Sequence, residues 1–131
     1  MPQCGNEDQM PDVLIVDQSE AVRKVCSLLL GELGFVTNDV GNALELLVRC
    51  QTAMPDVVII DSCVDGALEL VQNLRLMPNS GCLHILYSVS KADLRTLMAA
   101  KHAGATDVVL KPFDRKALAE VFSRIRISAA A

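Results

Sequence analysis

The stretch Pro55-Asp56-Val57-Val58-Ile59-Ile60-Asp61 decides the fold of this chain. Its four consecutive β-branched residues form a short apolar run without polar alternation, and the run stops at an aspartate. Such runs are typical of strands that are buried on both faces, as in parallel sheets covered by helices. The run Val13-Leu14-Ile15-Val16, which stops at Asp17, repeats the pattern earlier in the chain. Both stretches therefore predict central strands of a parallel sheet.

Three further segments have the character of strands. Residues 83–89 and Asp107-Val108-Val109-Leu110 are apolar runs, and Phe35-Val36-Thr37 is a weaker one between turn residues. The intervening segments carry apolar residues at helical spacing. The predicted apolar faces are Val22, Val25 and Leu29; Leu44, Leu47 and Val48; Leu68, Val71 and Leu74; Leu94, Leu97 and Met98; and Leu118, Val121, Phe122 and Ile125. Strand and helix thus alternate five times, which predicts an α/β fold with a five-stranded parallel sheet in the flavodoxin-like order 2-1-3-4-5 and helices on both faces.

Polar residues and glycines mark the predicted helix ends. Ser90-Lys91-Ala92-Asp93 fits a capping box before the fourth helix. Asp65 and Asp114 are predicted to cap the third and fifth helices, because a carboxylate can accept from the free N–H groups of a first turn. Gly104 is predicted to end the fourth helix.

The size and charge of the chain limit its function classes. Its 131 residues suit one ordinary domain, predicted over residues 12–127 between tails at 1–11 and 128–131. The formal net charge of −4 argues against nucleic-acid binding, which depends on Lys and Arg contacts with phosphates. No apolar run approaches the roughly 20 residues that a membrane span needs. We therefore expect neither nucleic acid nor a membrane among the partners.

The cysteines and the N-terminus indicate a cytoplasmic protein. Five cysteines are scattered without a C-x-x-C pair, a pattern that predicts reduced thiols rather than a disulfide framework. Residues 1–11 are polar and contain two prolines, so they lack the apolar core of a signal peptide. Both observations predict cytoplasmic localisation.

The predicted topology brings polar side chains to one edge of the sheet. Ligands of open parallel sheets bind at the carboxyl ends of the strands, where the strand order reverses. That point lies between the first and third strands, which end at Asp17 and Asp61, while Ser88 and Lys111 end the fourth and fifth strands. Adjacent carboxylates repel each other unless a cation such as Mg²⁺ binds between them. Acids, a hydroxyl and an ammonium beside a metal suit phosphoryl transfer, whose charge spreads over the phosphoryl oxygens.

Several motifs, in their order and spacing, resemble those of response-regulator receiver domains, the CheY-like superfamily. They are Val13-Leu14-Ile15-Val16-Asp17, Pro55-Asp56-Val57-Val58-Ile59-Ile60-Asp61, Tyr87-Ser88, Gly104-Ala105 and Lys111-Pro112-Phe113. The resemblance covers roughly residues 12 to 127. It implies a stand-alone receiver domain with a cis peptide at Lys111-Pro112.

The resemblance also implies a role for each residue at this edge. Asp61 would accept a phosphoryl group from a sensor histidine kinase, a phosphotransfer protein or a small phosphodonor. Asp17, Asp61 and the backbone carbonyl of Cys63 would bind Mg²⁺. Lys111 would pair with the phosphoryl group, and the Ser88 hydroxyl would report phosphorylation to the fourth helix and fifth strand.

Three departures from the family pattern concern the same site. Gln18 stands where the family usually has a second acid, so it would be a weaker Mg²⁺ ligand. The loop from Asp61 to Gly66 lacks the usual Met-Pro step, and we hypothesise that its shortness brings Asp65 near the metal. Val108 stands where the family usually has an aromatic switch residue, so inward rotation of that ring cannot carry the signal.

The leading hypothesis is a single-domain response regulator of a two-component phosphorelay, phosphorylated on Asp61. It is not an enzyme beyond its Mg²⁺-assisted self-phosphorylation. Its signal would pass to a downstream target protein through the face of the fourth helix, fifth strand and fifth helix, with Met98, Lys101 and His102 as candidate contacts. A phosphate sink between kinases and other receivers fits the same residues.

Two other function classes compete with this hypothesis. A degenerate receiver would bind a partner without being phosphorylated. Gln18, the short loop and Val108 favour it, whereas the retained strand-end residues disfavour it, namely Asp17, Asp61, Ser88 and Lys111. A flavin- or nucleotide-binding protein would need a glycine-rich phosphate loop after the first strand. The chain has Asp17-Gln18-Ser19-Glu20-Ala21 there, without a glycine and with two acids, which disfavours that class.

A plainer interpretation stands beside each functional one. Asp17 could cap the first helix, and Ser88 could be a satisfied hydroxyl at a strand end. Lys111 could be an ordinary surface lysine. Arg23 and Lys24 are most simply solvated residues of a helix face.

Overall fold

The computed structural model describes residues 11–125, in which five strands alternate with five helices. The strands are β1 (Asp12–Val16), β2 (Val36–Val40), β3 (Val57–Asp61), β4 (His84–Val89) and β5 (Asp107–Leu110). The helices are α1 (Glu20–Glu32), α2 (Ala43–Thr52), α3 (Ala67–Leu76), α4 (Leu94–Ala103) and α5 (Arg115–Arg124). All strand pairs are parallel in the order β2-β1-β3-β4-β5, which confirms the predicted fold. The predicted tails at 1–11 and 128–131 lie outside the described residues, apart from Pro11.

The central strands bury both faces, which explains why their sequences do not alternate. In β1, Val13 and Ile15 pack into the layer that contains α1 and α5. Leu14 and Val16 pack into the opposite layer, which contains α2, α3 and α4. Because a fully buried Val, Leu or Ile contributes about 1.5–3 kcal/mol relative to an exposed one, the two layers hold the strands firmly in register.

Some helices pack through a different face from the one predicted. The exposed members of the predicted faces are Val25, Leu44, Val48, Leu94 and Met98. Instead, α2 buries Leu46 and Cys50, and α4 buries the small residues Ala100 and Ala103. Helical spacing identifies side chains that share a face, but where two apolar stripes follow one helix, only the neighbouring elements decide which stripe is buried.

Helices α3 and α4 begin differently from the prediction. The N-cap of α3 is Gly66, with φ +73° and no side-chain cap, so the prediction that Asp65 caps this helix is wrong. The short loop after β3 ends in the left-handed region, which glycine adopts without strain. Before α4, Asp93 rather than Ser90 is the N-cap, and it accepts from the Thr96 N–H at 2.8 Å.

Two other predicted helix ends are confirmed. Asp114 caps α5 by accepting from the Ala117 N–H at 2.8 Å. Gly104 follows α4 with φ +120°. A Cβ atom added to Gly104 would lie 2.7 Å from Cγ of Arg75, so this position needs glycine for its conformation and for its close contact.

The cysteines differ from the prediction at one position. Cys26 and Cys50 are buried free thiols, and Cys63 is an exposed free thiol. Burial raises the pKa of Cys26 to about 12 and that of Cys50 to about 11, so neither is a nucleophile at neutral pH. Cys82 is disulfide-bonded, so the expectation of reduced thiols throughout is wrong. Spacing along the chain does not reveal which sulfur atoms come within bonding geometry.

Candidate functional site

The polar residues predicted from the strand ends lie together at the carboxyl edge of the sheet. Asp17 follows β1, Asp61 ends β3, Ser88 lies in β4 and Lys111 follows β5. Asp61 and Ser88 lie side by side because they are register partners in the parallel pairing of β3 with β4. Asp17, Asp61 and Ser88 are 5%, 4% and 2% exposed, so their polar groups need partners within the protein.

Lys111 bridges the two carboxylates. Its Nζ lies 3.0 Å from Oδ2 of Asp17 and 2.8 Å from Oδ1 of Asp61. Burial lowers the pKa of Lys111, but the hydrogen bonds and charges of Asp61 and Asp17 outweigh burial, so the pKa is raised. Lys111 is therefore a fixed positive charge between two acids rather than an ordinary surface lysine.

The Asp61 carboxylate accepts two further hydrogen bonds. The Ser88 hydroxyl donates to Oδ1 at 3.2 Å, and the Cys63 N–H donates to Oδ2 at 3.1 Å. The loop that supplies Cys63 is anchored by Val64, which is 4% exposed and belongs to the core. The buried Ser88 hydroxyl therefore has the Asp61 carboxylate as its hydrogen-bond partner, and not only a group of its own strand.

Asp17 does not cap α1. The N-cap is Ser19, whose side chain accepts from the Val22 N–H at 3.2 Å. The Ser19 N–H in turn donates to Oδ1 of Asp17 at 2.8 Å. This bond orients the carboxylate, whose other oxygen, Oδ2, accepts from Lys111 Nζ.

The donor set at this edge fits a hard divalent cation. Oδ1 and Oδ2 of Asp17 and Oδ2 of Asp61 each accept one hydrogen bond. A carboxylate oxygen has two lone pairs, so these atoms keep capacity for a cation that prefers anionic oxygen ligands, such as Mg²⁺. Among residues 11–125, no group of three or more His, Cys, Asp or Glu side chains forms a metal-binding cluster, and the carboxylates that meet at Lys111 are those of Asp17 and Asp61.

Two further side chains are predicted metal ligands. Gln18 and Asp65 are both exposed. Within residues 11–125, neither side chain makes an ion pair or a hydrogen bond with Asp17, Asp61 or Lys111. Their roles as ligands remain predictions.

Arg23 is a residue that the sequence did not indicate. It is 16% exposed and not a solvated residue of the helix face. Its Nε lies 2.7 Å from Oδ2 of Asp39, and its Nη1 donates to the Asp17 carbonyl at 2.7 Å. A useful indication would have been its position in the first turn of a helix, where a cation is disfavoured unless an acid compensates it.

One buried aromatic side chain of the sheet lies on β4, next to β5. Tyr87 is the register partner of Val108, the position where the family usually has an aromatic residue. Tyr87 is 5% exposed and lies in the core layer against which Val108 also packs. Burial raises the pKa of Tyr87, and the Asp61 carboxylate raises it further.

An open apolar cleft of about 590 Å³ adjoins the site. It is lined by Ala21, Val22, Val25, Ser90, Lys111, Pro112 and Phe113. The Lys111-Pro112 peptide bond is cis, which confirms that expectation. The acid pair is therefore bordered by apolar surface on the Lys111 side.

The chain belongs to the response regulator receiver domain family, whose model matches residues 13–123. The fold and the meeting of the strand-end residues agree with this assignment. Receiver domains are signalling modules of two-component systems rather than classical enzymes. No helix within residues 11–125 is long and apolar enough to cross a membrane.

Individual relatives support the family assignment. The chain is 33% identical over 119 residues to an uncharacterized 76.5 kDa protein of Thiocystis violacea, covering 88% of this chain and 17% of that protein. It is 26% identical over 115 residues to the DNA-binding response regulator MtrA of Mycobacterium tuberculosis, covering 87% of this chain and 50% of MtrA. The chain thus spans half or less of the length of these curated relatives.

A solved structure matches over nearly the whole chain. The chemotaxis response regulator CheY4 of Vibrio cholerae superposes with a TM-score of 0.85 at 27% identity. The match covers 90% of this chain and 100% of CheY4. The described domain therefore corresponds to a complete receiver fold.

Proposed function

We propose that Asp61 accepts a phosphoryl group in a Mg²⁺-assisted reaction of a two-component phosphorelay. The observation that carries this proposal is the bridge from Lys111 Nζ to Asp17 at 3.0 Å and to Asp61 at 2.8 Å, with the Ser88 hydroxyl on Asp61. An acid held between an ammonium and a hydroxyl is prepared to carry a phosphoryl group, because both donors can follow the negative charge onto the phosphoryl oxygens.

The transfer itself is a displacement at phosphorus. A carboxylate oxygen of Asp61 forms the new O–P bond while the P–N bond of a phosphohistidine breaks, and the released imidazole takes a proton from solvent. With acetyl phosphate, the P–O bond to acetate breaks instead. The single negative charge of the Asp61 carboxylate is replaced by the two negative charges of the phosphoryl group. Positive groups at the site therefore stabilise the product more than the free carboxylate.

Asp17, Asp61 and the backbone carbonyl of Cys63 would hold the Mg²⁺ ion, with Gln18 as a weaker oxygen ligand. Asp65 stays a hypothesis as an additional ligand. When bound, Mg²⁺ offsets the repulsion between the attacking carboxylate and the phosphoryl oxygens. The single acid at the Asp17-Gln18 step predicts weaker metal affinity than a pair of acids would provide.

Lys111 and Ser88 would act after the transfer as well. The Lys111 ammonium would move from the Asp61 carboxylate to a phosphoryl oxygen, and the Ser88 hydroxyl would donate to another. Because Ser88 lies in β4, a shift of its hydroxyl would act on the neighbouring strand β5 and, through β5, on α4.

The proposed partners are a sensor histidine kinase or phosphotransfer protein as donor and a target protein that reads the α4–β5–α5 face. That face exposes Leu94 and Met98 at 72% and 62%, together with Lys101 and His102. Exposed apolar side chains beside polar ones suit a protein contact. We place this relay in the cytoplasm.

The test is phosphorylation by acetyl phosphate with and without Mg²⁺, followed by intact mass. We expect one added phosphoryl group that requires Mg²⁺ and is absent from Asp61→Asn. Asp56→Asn is the matched control, since Asp56 precedes the amino end of the same strand and its amide can still accept from the Asp12 N–H. Failure of both acetyl phosphate and a cognate kinase to label the wild-type chain would favour a phosphorylation-independent interaction module.

A further inference from the structure

Arg23 occupies a position that helix electrostatics disfavour. It lies in the first turn of α1, which begins at Glu20 after the N-cap Ser19. The amino end of a helix carries partial positive charge, so a partly buried guanidinium there needs compensation. The contacts of Arg23 supply that compensation and also reach the candidate site.

The guanidinium joins three elements of the fold. Nε bonds Oδ2 of Asp39 on β2 at 2.7 Å, and Nη1 bonds the Asp17 carbonyl after β1 at 2.7 Å. Asp39 is the register partner of Ile15, two residues before Asp17, so the bridge spans the ends of adjacent strands. A lysine ammonium lacks the planar fork that makes both bonds at once.

Asp17 is consequently held from two sides. Arg23 fixes its backbone carbonyl, and the Ser19 N–H fixes Oδ1 at 2.8 Å, so that Oδ2 stays toward Lys111. Gln18 adds no charge, so Asp17 is the one carboxylate of residues 17–19. A site that depends on a single acid at this step is sensitive to the orientation of that acid.

We propose that Arg23, supported by Asp39, is a positioning residue that holds Asp17 in the orientation required for metal binding and phosphoryl transfer. This inference rests on the proposed function of Asp61. Arg23 touches neither the metal nor the phosphoryl group and acts through the Asp17 backbone. Outer partners of metal ligands commonly change affinity by about 10–100-fold when they are removed.

The experiment compares Arg23→Gln, Asp39→Asn and the double variant with Lys24→Gln in the full chain. Lys24 is the exposed neighbour of Arg23 on the same helix and makes no ion pair within residues 11–125, so its variant removes the same charge without the bridge. Three quantities are measured: hydrogen exchange of residues 12–22, the Mg²⁺ dissociation constant by calorimetry, and the rate of phosphorylation by acetyl phosphate.

We expect Arg23→Gln to raise the Mg²⁺ dissociation constant about tenfold, to slow phosphorylation about tenfold at limiting Mg²⁺, and to speed exchange of the Ser19 amide. Asp39→Asn should act in the same direction. The double variant should resemble Arg23→Gln alone, because both substitutions break one bridge. Lys24→Gln should stay within about twofold of wild type.

Equal exchange and equal Mg²⁺ affinity in Arg23→Gln and Lys24→Gln would overturn the inference, even if Arg23→Gln unfolded at lower urea concentration. Separate additive effects of Arg23→Gln and Asp39→Asn would also overturn the paired role. If the wild-type chain is not phosphorylated, the proposed function fails, while exchange and Mg²⁺ affinity still decide the role of Arg23.

Discussion

Lys111 and Arg75 are partly buried cations at opposite edges of one sheet. Lys111 follows the carboxyl end of β5 and bonds two carboxylates. Arg75 lies in the last turn of α3, beside the amino ends of β4 and β5, and donates only to neutral oxygens. Its acceptors are the carbonyls of Gly104, Ser80 and Leu83 at 2.8, 2.9 and 2.8 Å and the Thr106 hydroxyl at 3.1 Å.

The difference between their partners gives the two edges different roles. At the Lys111 edge the partners of the cation can be exchanged, whereas at the Arg75 edge the hydrogen bonds stabilise the fold. Burial lowers the pKa of Arg75, whereas at Lys111 the hydrogen bonds and charges of Asp61 and Asp17 outweigh burial and raise the pKa. Carboxylates can exchange an ammonium for a metal ion or give way to a phosphoryl group. Backbone carbonyls that anchor two strands and a helix end have no such alternative.

The largest expected effect is on stability at the Arg75 edge. Arg75→Met removes the donor of four hydrogen bonds and leaves partly buried carbonyls without partners. We expect the free energy of unfolding to fall by about 3 kcal/mol. Urea denaturation measures this, with Arg49→Met on the exposed face of α2 as control. Unchanged phosphorylation per folded molecule is also expected, and a loss below about 1 kcal/mol would remove the contrast between the edges.

The next effect concerns the chemistry at the Lys111 edge. Lys111→Met should slow phosphorylation by acetyl phosphate about a hundredfold, since it removes a fixed positive charge from the acceptor. The Mg²⁺ dissociation constant should not rise, because the ammonium competes with the metal for oxygens of Asp17 and Asp61. Intact mass and calorimetry measure the two quantities, and Lys116→Met is the exposed control. Weaker Mg²⁺ binding in Lys111→Met would contradict this competition.

The smallest effect is a pH dependence that only the Lys111 edge should have. The pKa of Lys111 is raised from its ordinary value of 10.5, so its charge stabilises the fold fully below that pH. This stabilisation is lost as pH rises through the pKa of the folded state. Urea midpoints of wild type and Lys111→Met should therefore stay apart at neutral pH and converge only as pH rises above 10.5. Parallel curves over that range would show that the ion pairs do not contribute.

Local sequence patterns were sufficient for the sheet and for the members of the acid pair. The run from Val57 to Ile60 favours a strand buried on both faces, because its four residues are β-branched and do not alternate with polar ones. Parallel pairing then brings the aspartate that ends this run to the same edge of the sheet as Asp17. Strand ends are local features, and topology converts them into neighbours. The hydrophobic stripe of α5 was equally readable, because one stripe dominates that helix.

Other features could not be read from spacing. The choice of Leu46 over Leu44 as the buried residue of α2 depends on which layer the helix covers. The replacement of the Asp65 cap by Gly66 depends on how tightly the shortened loop turns. In both cases two local solutions are acceptable, and packing against distant elements selects one.

The sequence by itself determined the order of strands and helices, the doubly buried sheet and the strand-end positions of Asp17, Asp61, Ser88 and Lys111, because each depends on residues adjacent in the chain. Tertiary structure alone decided how those side chains bond to one another. It also decided that Arg23 bonds both Asp39 and the Asp17 carbonyl, and that Arg75 bonds the Gly104 carbonyl at the opposite edge. The physical reason is distance along the chain. Lys111 and Asp17 are 94 residues apart, and no local periodicity encodes a hydrogen bond across that separation.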